Sequence, residues 1–144
     1  MFVTAAVNCL VRFTRTVALV GEIVTLTGGE MAVSLEEVQD NFRKYGLLDE
    51  QVKFLKGFFK DTLPQAPIAR IAVLRVDGDL YESVIQTLEY LYPKVSAGGY
   101  IILDDYGDHL PPARKAVDDY RRAHAITTHI ERIDYSGAFW RKEQ

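Results

Sequence analysis

Two short apolar runs, each ended by aspartate, mark the middle of the chain. The first, IAVLRV at residues 71–76, stops at Asp77, and the second, YIIL at residues 100–103, stops at Asp104 and Asp105. Apolar runs of four to eight residues bounded by polar or turn residues are typical of buried strands. The pattern therefore predicts two strands that both end in carboxylates.

The segment between these runs has the period of an amphipathic helix. Val84, Leu88 and Leu91 fall on one stripe within residues 81–92, and Pro93 ends the pattern. A strand, a helix and a second strand form a right-handed parallel unit, so both strands end at the same edge of the sheet. Ligands bind at that edge in open α/β sheets, and three carboxylates from two places in the chain are expected there.

The other patterns extend this unit into an α/β sheet with an antiparallel edge. Ser34 and Glu37 form a capping box at the start of a helix that Gly46 ends. The further predicted elements are a strand over residues 52–59, a helix from about residue 112 to 124, and two short strands, HIERID and GAFWRK, joined about Tyr135 and Ser136.

Residues 1–30 differ in texture from residues 31–144 and are treated as a separate, atypical N-terminal segment. They are rich in Val and Thr and contain no Asp, Lys or Tyr. Charged side chains interrupt the stretch too often for a membrane span, and its first ten residues lack the basic side chains of a signal peptide. The segment is expected to be irregular or to form edge strands.

Composition restricts the class of protein. A 144-residue chain with 48% hydrophobic and 26% charged residues is one globular domain. The net charge of −3 gives no electrostatic basis for binding nucleic acid or an anionic membrane. Cys9 stands alone, so no disulfide framework is expected and a reducing, cytoplasmic setting is the default.

The acids at the strand ends suit a divalent cation. Magnesium prefers oxygen ligands, and Asp77, Asp104 and Asp105 would supply three while leaving positions open for substrate oxygens. The alternative is structural: Asp77 would cap the next helix, and Asp104 and Asp105 would cap the following loop. Spacing alone leaves both interpretations open.

Other residues give weaker functional signals. Asp77-Gly78-Asp79 is similar to the loop of haloacid-dehalogenase phosphatases, although Tyr81 stands where that loop has Thr or Val. His109, in the loop after the acid pair, is a candidate base. Lys56, Gly57 and Phe58 could line a flat aromatic ligand, because glycine admits close backbone approach.

Several long blocks, in order, resemble the macrocin O-methyltransferase family. They are SLEEVQDNFRKYGLLDEQVKFLKGFFKDTLP, LRVDGDLYES, YPKVSAGGYIILDDYG, ARKAVDDYRRAHAI and GAFWRK, between residues 31 and 142. Members use S-adenosylmethionine and magnesium to methylate sugar hydroxyls of macrolides and related antibiotics. The resemblance implies a Rossmann-like class I methyltransferase sheet with an antiparallel C-terminal hairpin and a small-molecule glycoside as substrate.

The resemblance also implies roles for individual residues. Asp77 would be both metal ligand and general base, Asp104 and Asp105 would complete the magnesium site, and residues 56–58 would lie near the adenine of the cofactor. In the family, the strand and glycine-rich turn that hold the rest of the cofactor precede Ser34. Residues 1–30 do not resemble them, so the expected sheet lacks its N-terminal cofactor-binding strands. The non-enzyme alternative is a truncated remnant that forms oligomers or associates with a full-length relative.

Overall fold

The computed structural model describes residues 7–12, 17–22, 34–50, 52–109 and 111–143. The strands form one mixed sheet in the order β2-β1-β3-β4-β6-β5. The elements are β1 (Val7–Arg12), β2 (Val17–Glu22), α1 (Leu35–Lys44), α2 (Phe59–Thr62), β3 (Ile71–Val76), α3 (Tyr81–Leu91), a 3-10 turn (Tyr92–Lys94), β4 (Val95–Leu103), α4 (Pro111–Ala123), β5 (Glu131–Arg132) and β6 (Ala138–Arg141).

The central parallel unit is confirmed. β3 and β4 pair in parallel with Val76 opposite Leu103, so Asp77 and Asp104 follow equivalent positions on neighbouring strands. Helix α3 buries the predicted stripe against the sheet, including Leu88. We call the end of the sheet formed by the carboxyl ends of β3 and β4 the acid edge.

The hydrophobic core lies between the sheet and helices α3 and α4. Trp140 on β6 is 1% exposed, and its neighbour Tyr92 lies 6.1 Å away between ring centroids. Core packing, rather than ligand binding, therefore explains the tryptophan of the last strand. The predicted antiparallel hairpin of β5 and β6 is also present.

A hairpin from the N-terminal segment extends the sheet beyond β3. β1 pairs antiparallel with β2 over six residue pairs, and with β3 only through Val11–Leu74 and Arg12–Val73. β2 is an edge strand, as expected for this segment, whereas β1 lies between β2 and β3. The rest of residues 1–30 lies outside the described residues. Because β1 runs antiparallel to β3, its carboxyl end points away from the acid edge.

The prediction of a strand over residues 52–59 is wrong. Residues 52–58 have no regular secondary structure, and helix α2 begins at Phe59. Instead of pairing in the sheet, this segment packs beside α1, where Phe42 and Phe54 make an edge-to-face contact with centroids 5.6 Å apart. The apolar pattern identified a packed segment, but a strand also needs a neighbouring strand to accept its hydrogen bonds.

Helix α1 begins as predicted. The hydroxyl of Ser34 accepts a hydrogen bond from the backbone N–H of Glu37 at 3.1 Å, and Gly46 follows the helix with a φ of 67°. None of the helices in the described part of the chain is both long enough and apolar enough to cross a membrane.

Candidate functional site

Asp77 lies at the acid edge beside a basic side chain. The Arg75 guanidinium Nη2 is 3.0 Å from Asp77 Oδ2. Burial raises the pKa of Asp77 above its ordinary value; Arg75 opposes this shift, and the carboxylate of Asp104 adds to it. Asp77 is therefore more basic than a solvated aspartate, although a cation lies next to it.

Asp104 shares the same arginine. Arg75 Nε donates a hydrogen bond to Asp104 Oδ1 at 3.1 Å, and Arg75 Nη2 donates to Asp104 Oδ2. One guanidinium thus bridges the acids that end β3 and β4. Sequence reasoning overlooked Arg75, although alternation along a strand puts residues 75 and 77 on the same face.

Asp105 is the acid with the largest change in basicity. Burial, and then the carboxylates of Asp79, Asp77 and Asp104, raise the pKa of Asp105 to about 6. The carboxylate accepts a hydrogen bond from the backbone N–H of Gly78, but its Oδ2 is buried without a hydrogen-bond partner. A buried carboxylate oxygen without a donor is costly unless a proton or a cation accompanies it.

Asp77 does not cap the next helix, which was the structural alternative for this residue. Helix α3 has Leu80 at its N-cap and no side-chain capping hydrogen bond, so Asp77 is not its cap. Asp105, by contrast, links the loop after β4 to the loop after β3, because its carboxylate accepts the hydrogen bond from the Gly78 N–H. Local capping therefore explains only part of the negative charge that is concentrated at the strand ends.

No metal centre is assembled among the described side chains: no group of three or more His, Cys, Asp or Glu residues is positioned to hold an ion. The chemistry of the donors nevertheless fits magnesium. The acid edge offers hard carboxylate oxygens from two strand ends, and Asp105 Oδ2 lacks any donor. Arg75 bridges Asp77 and Asp104, so a metal ion at the acid edge would share these carboxylates with a guanidinium.

The loop that follows the acids is tied to the hairpin turn between β5 and β6. The Tyr106 backbone N–H donates to the Ser136 carbonyl at 3.0 Å, and the Ser136 hydroxyl donates to the Asp104 carbonyl. Arg132 Nη1 also donates to the Tyr106 carbonyl at 2.7 Å. These contacts fix the backbone that carries Asp104, a support that sequence reasoning did not foresee.

The histidines occupy different environments. His109 is exposed, and its ring lies 5.4 Å from that of Tyr135 between centroids. His124 stacks on Tyr120 at 4.0 Å, and its Nδ1 lies 2.9 Å from the Tyr120 carbonyl oxygen. His124 is therefore structural, whereas the role of His109 as a base stays a prediction.

The predicted cofactor-binding residues precede helix α2. Gly57 has a φ of 137°, which favours glycine, and a Cβ there would lie 3.0 Å from Thr62 Cγ2. Phe58 is 51% exposed, and the Lys60 amine lies 5.6 Å from its ring centroid. Hydrogen bonds from the backbone and from Ser34 are the main causes that lower the pKa of Glu36 on α1. The positive charge of Lys56 lowers it further, so Lys56 lies close to α1. The segment leaves an aromatic face open, and its role in cofactor binding stays a prediction.

Comparison with known proteins identifies relatives over most of this sequence. The family model for macrocin-O-methyltransferase (TylF) matches residues 22–142. The chain is 59% identical over 112 residues to demethyldecarbamoylnovobiocin O-methyltransferase of Streptomyces niveus, which covers 78% of the chain and 42% of that protein. It is 50% identical over 113 residues to mycinamicin III 3''-O-methyltransferase of Micromonospora griseorubida, covering 78% of the chain and 44% of the relative.

A third relative is 8-demethyl-8-(2,3-dimethoxy-alpha-L-rhamnosyl)-tetracenomycin-C 4'-O-methyltransferase of Streptomyces olivaceus. It is 55% identical over 113 residues, which are 78% of the chain and 42% of the relative. The chain therefore spans less than half the length of each of these relatives. The phosphatase alternative is not supported, because the matching family model and these relatives are methyltransferases.

Solved structures give the same fold. The O-methyltransferase NovP matches with a TM-score of 0.76 and 57% identity, over 79% of the chain and 47% of that structure. CalS11, a TDP-rhamnose 3'-O-methyltransferase, matches with a TM-score of 0.63 over 88% of the chain and 58% of that structure. At 22% identity, the second match supports the fold alone. The predicted class I methyltransferase sheet is confirmed for the part that the chain covers.

Proposed function

The chain belongs to the macrocin-O-methyltransferase family, and we propose that it carries the acid edge of a magnesium- and S-adenosylmethionine-dependent sugar O-methyltransferase. The proposed acceptor is a hydroxyl on a sugar of a macrolide-type glycoside, in antibiotic biosynthesis. The observation that carries the proposal is the convergence of Asp77, Asp104 and Asp105 on the carboxyl ends of two parallel strands. The names of the relatives, which include a rhamnosyl and a mycinamicin substrate, support a glycoside.

In this proposal, Asp77, Asp104 and Asp105 would hold the magnesium ion. When bound, magnesium would polarise the acceptor hydroxyl and make its proton easier to remove. Asp77 accepts that proton on a carboxylate oxygen, and burial favours this role because it raises the pKa of Asp77. Ser136 orients Asp104 through the Asp104 carbonyl.

The methyl donor fits the described residues less well. A parallel first strand would bring a glycine-rich turn to the acid edge, whereas β1 runs antiparallel to β3. Residues 1–30 also do not resemble the family's strand and glycine-rich turn, which hold the methionine and ribose parts of the donor. Lys56, Gly57 and Phe58 are proposed to contact its adenine only. We infer that the isolated chain binds the donor weakly or not at all.

Two assays test the proposed function. Calorimetric titration of S-adenosylmethionine, with and without magnesium, measures donor binding to the purified chain. Transfer of a radiolabelled methyl group to a panel of antibiotic glycosides measures activity, with Asp77→Asn as the inactive control. Magnesium-dependent transfer that Asp77→Asn abolishes supports the assignment of base and metal, and contradicts the inference that the chain binds the donor weakly. Transfer that survives in Asp77→Asn contradicts it.

The alternative is a non-catalytic chain that associates with a full-length relative. It is favoured by the lack of resemblance between residues 1–30 and the family's glycine-rich turn, and by the antiparallel β1. Size-exclusion chromatography of the chain mixed with that relative separates the two proposals. Co-elution, together with no methyl transfer by the chain alone, supports association.

A further inference from the structure

Tyr135 is a large aromatic side chain left 80% exposed on the turn between β5 and β6. Hydrogen bonds within the turn hold its backbone in place. Asp134 Oδ1 accepts hydrogen bonds from the backbone N–H groups of Ser136 at 2.9 Å and Gly137 at 2.6 Å. The Ile133 N–H donates to the Gly137 carbonyl at 2.9 Å. The backbone is therefore ordered before any ligand binds, and contact with Tyr135 costs little further backbone entropy.

The same turn is bonded to the acid edge. Ser136, the next residue after Tyr135, pairs with the N–H of Tyr106 at 3.0 Å and donates through its hydroxyl to the Asp104 carbonyl. The backbone at Tyr135 is thus tied, through Ser136, to the backbone that carries Asp104.

The imidazole ring of His109 lies beside the ring of Tyr135. The two ring centroids are 5.4 Å apart, and the planes are inclined by 32°. Gly107 makes this arrangement possible, because a Cβ there would lie 2.4 Å from His109 Cε1 and 2.8 Å from the Tyr135 carbonyl oxygen. The histidine ring therefore lies directly over the glycine, and both rings remain accessible from solvent.

We propose that the rings of Tyr135 and His109 form a platform on which the sugar ring of the acceptor stacks, with its hydroxyl edge toward Asp77 and Asp104. The inference rests on the proposed function and names the residues that bind its substrate. A sugar presents a face of C–H groups that packs on an aromatic face, and a rim of hydroxyls that needs polar partners. The Ser136–Asp104 hydrogen bond ties the turn that carries Tyr135 to the strand end that carries Asp104.

The test measures sugar binding without the methyl donor, so that its failure is separable from failure of methyl transfer. Methyl α-L-rhamnopyranoside is titrated into the chain in millimolar magnesium, and saturation-transfer NMR from the protein aromatic protons gives its dissociation constant. The variants are Tyr135→Ala, Tyr135→Phe and His109→Ala. Tyr45→Ala is the matched control, because Tyr45 is 72% exposed beyond the end of α1.

The platform predicts that Tyr135→Ala weakens binding about tenfold and that Tyr135→Phe, which keeps the ring, stays within about twofold of the original chain. His109→Ala has an intermediate effect, and Tyr45→Ala has none. Absence of saturation transfer to the sugar in the original chain overturns the proposal. Equal affinity in Tyr135→Ala and Tyr45→Ala overturns it as well, and would assign the exposed ring to a protein contact instead.

Discussion

Arg75 Nη2 lies 3.0 Å from Asp77 Oδ2, so the acid proposed as the general base already has a cationic partner on the strand that leads to it. The same guanidinium also bonds Asp104. Neighbouring carboxylates repel one another, and the arginine offsets part of that repulsion. A divalent cation at the acid edge would compete with Arg75 for the oxygens of Asp77 and Asp104.

Arg75→Met is predicted to destabilise the chain in EDTA by about 1–2 kcal/mol, because the acids lose their counter-charge at a partly exposed site. Magnesium should then raise the melting temperature of Arg75→Met more than that of the original chain, since the ion no longer competes with the guanidinium. Thermal unfolding with EDTA and with magnesium measures both effects. Arg114→Met is the control, because Arg114 pairs with the exposed Asp108. Equal magnesium shifts in all three proteins would contradict competition at the acid edge.

Asp105→Asn is predicted to stabilise the metal-free chain at neutral pH. The pKa of Asp105 is raised to about 6 in the folded chain, so its favourable contribution is present below pH 4 and is lost as pH rises through 6. Asparagine keeps an acceptor for Gly78 and carries no charge. In EDTA at pH 7.5, Asp105→Asn should melt about 2–4 °C higher, a shift that corresponds to roughly 1 kcal/mol after allowance for partial exposure. The advantage should disappear at pH 4. A difference independent of pH would rule out the buried charge as its cause.

Gly107→Ala is predicted to destabilise the chain by about 2–3 kcal/mol, because the new methyl group meets the His109 ring and the Tyr135 carbonyl. Gly46→Ala provides the comparison: nothing lies within 4 Å of a Cβ at Gly46, and the cost of about 1 kcal/mol comes from its φ of 67° alone. Urea unfolding of both variants gives the free energies. A loss no greater in Gly107→Ala than in Gly46→Ala would mean that the His109 ring moves aside without cost.

Elements with strong local signals were predictable from sequence. The strand before Asp77, helix α3, the Ser34 cap and the C-terminal hairpin each follow from short-range periodicity or capping. The parallel pairing of β3 and β4 followed from their connection by a helix. By contrast, residues 52–58 have strand-like composition but pair with none of the described strands, and such pairing depends on distant parts of the chain.

The candidate site was predictable in its acids but not in their surroundings. Apolar runs that stop at aspartate located Asp77 and Asp104. The bridge from Arg75, the bond from Ser136 to the Asp104 carbonyl and the ring pair beside Gly107 depend on contacts between separate elements. Strand alternation could have indicated Arg75, since it lies two residues before Asp77 on the same face. No local pattern identifies Ser136, because its partner is 32 residues away.

The magnesium site at the acid edge is tested most directly by titrating the chain with Mn²⁺, which substitutes for magnesium and is detected by electron paramagnetic resonance. Such a site predicts one bound ion that magnesium displaces, with binding lost in Asp104→Asn and retained in Asp108→Asn, which alters an exposed acid nearby. Absence of bound Mn²⁺, or equal binding in the two variants, would contradict the assignment of the acid edge as a metal centre.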